Sequence, residues 1–219
     1  MLMEVVSFSL VAFSAVFFIV DPVAVVPIFV TMTEHDTPQK RRDMAKRACL
    51  ILGGVLTFFA LGGGVLFKLL GVTLAAFKIA GGILLLLTSL DMLRSKASQT
   101  RTSPEEIAEG AAKDDIAIVP LAMPLLAGPG SIATVMMLTA QVEHTWQVIP
   151  VILSIWLTAF ISWLMLRSSE LVNRFLGKSG RAILDRVMGL LLAAIAVQFM
   201  IAGVSDALPE ILSKLPVRS

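Results

Sequence analysis

Apolar residues in this chain fall in long unbroken runs, without the strict alternation of a half-buried strand. Ala48–Phe67, Ile116–Val142, Thr145–Leu166 and Val187–Ser205 carry no charge at all. Two further runs are interrupted once each: Val5–Met32 by Asp21, and Leu69–Leu90 by Lys78. A helix crossing the roughly 30 Å hydrocarbon layer needs about 20 mostly apolar residues. The pattern therefore predicts an all-α membrane protein with six transmembrane helices. Polar punctuation marks the joints. Thr37-Pro38 has the form of an N-cap followed by proline at N1, so the second helix is expected to start well before its apolar run. Ser103-Pro104-Glu105-Glu106 has the same form within the polar stretch Ser95–Asp115, and predicts a short surface helix through Ala112.

The basic residues orient the spans. Lys40, Arg41, Arg42, Lys46 and Arg47 follow span 1, and Arg94, Lys96, Arg101 and Lys113 follow span 3. Arg167, Arg174, Lys178, Arg181 and Arg186 follow span 5, leaving only Lys68, Lys78, Lys214 and Arg218 for the other side. The positive-inside rule then makes the three basic loops cytoplasmic and puts both termini outside. The opening Met1-Leu2-Met3-Glu4 lacks a basic n-region, so the first segment is expected to stay in the membrane.

Composition narrows the class. The chain is 57% hydrophobic and 16% charged, with a net charge of +2, too little for a nucleic-acid surface. One cysteine and two histidines (His35 and His144, both in loops) argue against a disulfide framework or a metal site. No Walker motif is present, and neither a cofactor nor an enzyme activity is indicated.

Comparison of the two halves is more informative. Asp21-Pro22 in span 1 and Gly128-Pro129 in span 4 lie 107 residues apart, and Gly71 and Gly177 lie 106 apart. Lys78-Ile79-Ala80-Gly81 and Arg186-Val187-Met188-Gly189 lie 108 apart. The chain thus divides into a first three-helix repeat (1–94), a cytoplasmic linker (95–115), a second repeat (116–206) and a tail (207–219). Because each repeat has an odd number of spans, the second enters the membrane from the opposite face. Inverted repeats of this kind mark many secondary transporters.

Spans 1 and 4 are too long for straight helices: 28 residues at 1.5 Å each would reach about 42 Å. Each carries a break near its middle, Asp21-Pro22 with Pro27 nearby, and Gly128-Pro129-Gly130 after Pro120 and Pro124. Proline removes a backbone donor and displaces the residue before it from the α region. Helices 1 and 4 are therefore predicted to be discontinuous, with half-helices starting at Pro22 and Pro129. Backbone freed in mid-membrane must face protein or a wet cavity, and helix N-termini suit a carboxylate.

The candidate substrate site is accordingly Asp21, Pro22, Val23 and Ala24 with Gly128, Pro129, Gly130 and Ser131. Carbonyls of Ile19–Val20 and Leu126–Ala127 are available to an ammonium. Asp21 has three possible roles: accepting that ammonium, carrying a coupling proton or cation, or capping the helix that begins at Pro22. Gly81 and Gly189, in the repeat-related spans 3 and 6, are expected to flank the site. Lys78 and Arg186 support it or snorkel to the interfaces. The remaining glycine clusters would bring helices close, and Thr88, Ser89 and Gln198 would bond between helices.

These motifs resemble those of the MarC family of six-span inner-membrane proteins. Asp21-Pro22-Val23-Ala24-Val25-Val26-Pro27-Ile28-Phe29 is similar to the family's Asp-Pro-x-Gly-x-x-Pro-x-Phe pattern, with Ala24 in the glycine position. Pro120–Ile132 and Arg186–Ala196 follow the family nearly residue for residue. The resemblance implies uptake or exchange of small neutral amino acids such as glycine, alanine and serine, coupled to protons. A drug or metabolite exporter, or a non-transporting membrane factor, is the alternative. Aromatic content of 7% without tyrosine is low for a wide drug pocket. Oligomeric state and transport direction are not legible.

Overall fold

The computed structural model describes residues 2–94, 115–140, 142 and 145–213. Helix α1 (Leu2–Val20) and α2 (Pro22–Met32) form the first span, followed by α3 (Pro38–Leu70) and α4 (Leu74–Leu93). After the linker come α5 (Ala117–Leu126) and α6 (Pro129–Ala140), then a short 3₁₀ turn Thr145–Gln147, α7 (Val148–Arg167) and α8 (Ser169–Ser213). Among the described residues five stretches are long and apolar enough to cross a membrane, and α5 with α6, bent by 58°, makes a sixth if the pair is one broken span. The protein is an all-α membrane protein. The surface helix expected at Ser103–Ala112, and His144, lie outside the described residues.

Several boundaries move for local reasons. α3 starts at Pro38, as Thr37-Pro38 indicates, and the Thr37 hydroxyl accepts from the Lys40 N–H at 3.3 Å. The helix continues past Lys68 to Leu70, so Leu69 and Leu70 end α3 and do not open span 3. Gly71 turns the chain at φ 64°, and Thr73 caps α4 by accepting from the Ala76 N–H at 3.2 Å. The basic segment expected as a loop after span 5 is instead helical. Only Ser168 separates α7 from α8, which runs on to Ser213 with a break at Gly177 (φ 56°). Gly71 and Gly177 thus share a positive φ, which glycine adopts without a steric penalty. The tail expected from residue 207 begins inside this helix.

Packing joins the two halves. α4 lies along α8 in the most extensive interface, α3 packs on α5, α6 and α7, and α1 packs on α7 and α6. Each span of the first half thus finds its main neighbours in the second. One core groups Val16, Phe29, Leu52, Leu121 and Ile155, and another groups Ile19, Val23, Leu85, Met137 and Leu192. Exposed side chains such as Phe58, Leu153 and Leu190 give the outside an apolar coat, as hydrocarbon requires. Two buried serine hydroxyls bond within their own helices, Ser154 to the Pro150 carbonyl and Ser162 to the Thr158 carbonyl, each at 2.7 Å. Thr88 and Ser89 do the same, to Leu84 and Leu86, and Gln198 is exposed. The expected bonds between helices at these residues are not what holds them, because a short hydroxyl reaches its own preceding turn most easily.

Close approach of α4 and α8 depends on bare Cα positions at Gly82, Gly189 and Gly203. A Cβ at Gly82 would stand 2.6 Å from Met200 Cγ and 2.8 Å from the Ala196 carbonyl oxygen. Backbone cannot yield as a side-chain tip can. Gly82→Ala should therefore destabilise the protein by about 1–3 kcal/mol, read as a lower melting temperature in detergent. Gly54 has nothing within 4 Å, so Gly54→Ala should be neutral or slightly stabilising. Equal melting of the two variants would remove the α4–α8 contact as a stabilising feature.

Candidate functional site

At the first break the chain changes direction at one residue. Asp21 is fully buried and left-handed (φ 48°, ψ 64°), while its N–H still donates to the Phe17 carbonyl at 2.9 Å. Proline at 22 disfavours the right-handed conformation for Asp21, and aspartate tolerates the left-handed one better than most residues. Its Oδ1 accepts from the Ala24 N–H at 3.3 Å. The capping role of Asp21 is thereby present in the fold. Downstream, α2 ends at Thr33, whose hydroxyl donates to the Phe29 carbonyl at 2.7 Å. Arg41 closes that end: Nε donates to the Thr33 carbonyl at 2.8 Å and Nη2 to the Glu34 carbonyl at 3.0 Å.

The second break is wider. Prolines 120 and 124 hold the residues before them extended, Val119 at φ −127° and Met123 at φ −131°. Between them α5 winds loosely, with Leu121 N–H on the Ile116 carbonyl (3.1 Å) and Ala127 N–H on the Ala122 carbonyl (2.8 Å). Each of these bonds spans five residues, where an α-helix spans four. Asp115 starts this segment by accepting from the Ala117 N–H at 3.0 Å. Gly128 then comes close to backbone: a Cβ there would lie 2.9 Å from the Pro124 carbonyl oxygen. The Ile132 N–H closes the first turn of α6 onto the Gly128 carbonyl at 3.1 Å.

A cavity of about 40 Å³ opens at this second break. Gly128, Pro129, Gly130 and Ser131 line one side, and Ile19, Leu84, Thr88 and Leu125 the rest. First-turn N–H groups of a helix lack an intrahelical acceptor, and proline has no N–H, so Gly130 and Ser131 are the lining residues of α6 with backbone donors to offer. Two buried hydroxyls join them. Ser131 Oγ donates to the Leu126 carbonyl at 3.1 Å, and Thr88 Oγ1 donates to the Leu84 carbonyl at 3.0 Å, so both oxygens keep lone pairs. Of the carbonyls expected to meet an ammonium, that of Leu126 is thus already bonded by Ser131.

The structure gathers the expected residues unequally. Gly128 to Ser131 share the cavity, whereas Asp21, Pro22, Val23 and Ala24 are not among its lining residues. Val23 instead packs in the core with Ile19 and Leu85. Gly81 faces α6, where a Cβ would meet Met137 Cε at 3.0 Å. Gly189 faces α4, its Cβ direction 3.0 Å from the Ser89 carbonyl oxygen, so a large residue there would push helices apart before it reached the cavity. Lys78 is buried and pairs with Asp206 of α8 at 2.5 Å, while Arg186 is exposed. Two residues lining the cavity carried no site signal in the sequence: Leu84 and Leu125 read as ordinary apolar positions, and Ile19 was singled out for its carbonyl alone. Thr88 was visible as a polar residue in a span, but its place at the break follows only from how α4 packs on α6. Among the described residues no group of His, Cys, Asp and Glu could hold a metal ion.

Residues 6–208 match the model of a family described as MarC family integral membrane protein. A UPF0056 membrane protein of Methanocaldococcus jannaschii is 44% identical over 202 residues, covering 92% of this chain and 98% of the relative. One from Aquifex aeolicus is 35% identical over 197 residues, covering 90% and 92%. The UPF0056 membrane protein YhcE of Escherichia coli is 30% identical over 201 residues, covering 92% and 94%. No solved structure matches.

Proposed function

This chain belongs to the MarC family of integral membrane proteins, and from that premise we propose that it is a secondary transporter of small neutral amino acids. The observation that carries the proposal is the cavity at the second break, whose lining brings Gly130 and Ser131 from the first turn of α6 together with Thr88 of α4. Broken helices leave costly polar backbone inside the membrane, which a purely structural bundle has no need of. A substrate carboxylate takes up those donors, as anions do at helix N-termini. The small volume favours glycine, alanine and serine over leucine. At about 40 Å³ the cavity has room for only a few waters. The transport cycle therefore includes an opening of α5–α6 relative to α1 and α4.

The positive-φ glycines, 71 and 177, and the proline-initiated half-helices at 22 and 129 support an inverted-repeat reading, in which the two breaks exchange roles as access alternates. The positive-inside rule, applied to Arg41, Arg47 and Arg167, supports a cytoplasmic position for that end, with both termini opposite, in the inner membrane. Proton coupling is assigned to Asp21. Counterflow of labelled glycine into proteoliposomes, with and without a pH gradient, tests the function. Uptake that unlabelled alanine and serine suppress and leucine does not is expected. Ser131→Ala should weaken glycine affinity about 3- to 10-fold, the loss of one hydrogen bond. Absence of any counterflow across these amino acids would remove the assignment.

A further inference from the structure

We infer that the groove between α3 and α7 is a binding site for an anionic phospholipid, with its head group at the basic end and an acyl chain along the helices. Two cavities follow one another there. The first, about 230 Å³, is lined by Lys46, Cys49, Leu50, Trp156, Phe160 and Trp163, among others, and is almost wholly apolar below Lys46. The second, about 330 Å³, is polar and includes Arg41, Arg42, Arg167, Ser168 and Glu170 in its wall.

Helix geometry makes them one groove. Arg42, Lys46 and Leu50 succeed each other at four-residue spacing, one turn apart on one exposed stripe of α3. Opposite them, Trp156, Phe160, Trp163 and Arg167 climb α7 at spacings of three and four towards the same end. The Arg167 guanidinium carbon lies 5.2 Å from the centre of the Trp163 ring and so bridges the two cavities. Gly53 sets the floor: a Cβ there would stand 2.9 Å from the Trp156 ring, so only a bare Cα lets the indole lie against α3.

Charge identifies the occupant. Arg42, Lys46 and Arg167 are exposed at one end of a channel whose remainder faces hydrocarbon, the layout of an acyl chain below a phosphate. The carboxylate in the upper wall, Glu170, is already paired with Arg41 at 2.5 Å, so it leaves the other basic groups available to an anion. A zwitterionic lipid would fill the apolar part equally well but would gain less from three cations. The site stands apart from the cavity at the second break and does not depend on the transport reading.

The full-length protein, carrying Trp146→Phe so that emission comes from Trp156 and Trp163, is placed in phosphatidylcholine vesicles. These contain a minor fraction of brominated phosphatidylglycerol or of brominated phosphatidylcholine. Bromine on the acyl chain quenches nearby indoles. Stronger quenching by phosphatidylglycerol at equal fraction is expected. Lys46→Gln should lower the apparent preference about fivefold, and adding Arg42→Gln and Arg167→Gln to it should bring it to that of phosphatidylcholine. Arg47 serves as control, because it is one residue from Lys46 yet bonded to Asp115 at 2.6 Å. Equal quenching by the two lipids would overturn the site, as would a preference that survives all three substitutions. An Arg47→Gln loss as large as that of Lys46→Gln would reduce it to general surface charge.

Discussion

Gly130→Val should abolish glycine counterflow, by on the order of 100-fold or more, while the protein remains folded and inserted. The Cβ direction of Gly130 points at Ile19, with Cδ1 3.0 Å and Cγ1 3.4 Å away, and at Leu85 Cδ2 3.7 Å away. Valine there fills the cavity and covers the N–H groups at the start of α6. A carboxylate denied those donors in a dry site loses several kcal/mol, and each 1.4 kcal/mol is a factor of ten in affinity. A second substitution separates blocked donors from simple crowding. If crowding against Ile19 were the cause, Ile19→Ala would restore transport to Gly130→Val. Continued inactivity of the double variant is expected. Gly130→Ala should be far milder, since the far end of the Ile19 side chain can yield by a few tenths of an ångström. Wild-type counterflow by Gly130→Val would sink the site at the second break.

Asp21→Asn should separate accumulation from exchange. Asparagine accepts the left-handed conformation and can still cap α2 through its side-chain oxygen, so the break itself is preserved. What is lost is an ionisable group. With Asp21 carrying the coupling proton, the variant loses accumulation driven by a pH gradient and keeps glycine exchange. Both activities surviving would reduce Asp21 to a cap. Loss of exchange with loss of glycine affinity would make it an ammonium ligand, and Asp21 would then have to approach the cavity that it does not line here. Asp21→Ala removes the cap as well, at about 1 kcal/mol, and places a less tolerant residue in the left-handed region, at about 1–2 kcal/mol more. It should therefore melt lower than Asp21→Asn. Equal melting would mean that the Asp21 to Ala24 bond contributes nothing measurable.

The spans, their breaks and several caps were legible in the residues themselves because each rests on local chemistry. A charge-free run of about 20 residues has one stable fate in a bilayer, where every backbone group must bond within its own helix. Proline acts on its immediate neighbours, which is why Pro22, Pro120, Pro124 and Pro129 foretold where α1 ends, where α5 unwinds and where α6 begins. Thr37-Pro38 marked the start of α3 for the same reason. Segments whose conformation is settled by partners far along the chain could not be read this way. The basic stretch after α7 looks like a loop by charge, yet it continues as helix into α8. Lys78 looks like an interfacial lysine until α8 brings Asp206 to it. Gly189 looks like a site residue until α4 closes against it, and Thr88 becomes a cavity residue only where α4 crosses the start of α6. Which polar atoms and which bare Cα positions share a cavity depends on how helices from the two halves cross. Sequence spacing specifies the face of one helix, but packing chooses the neighbour that this face meets.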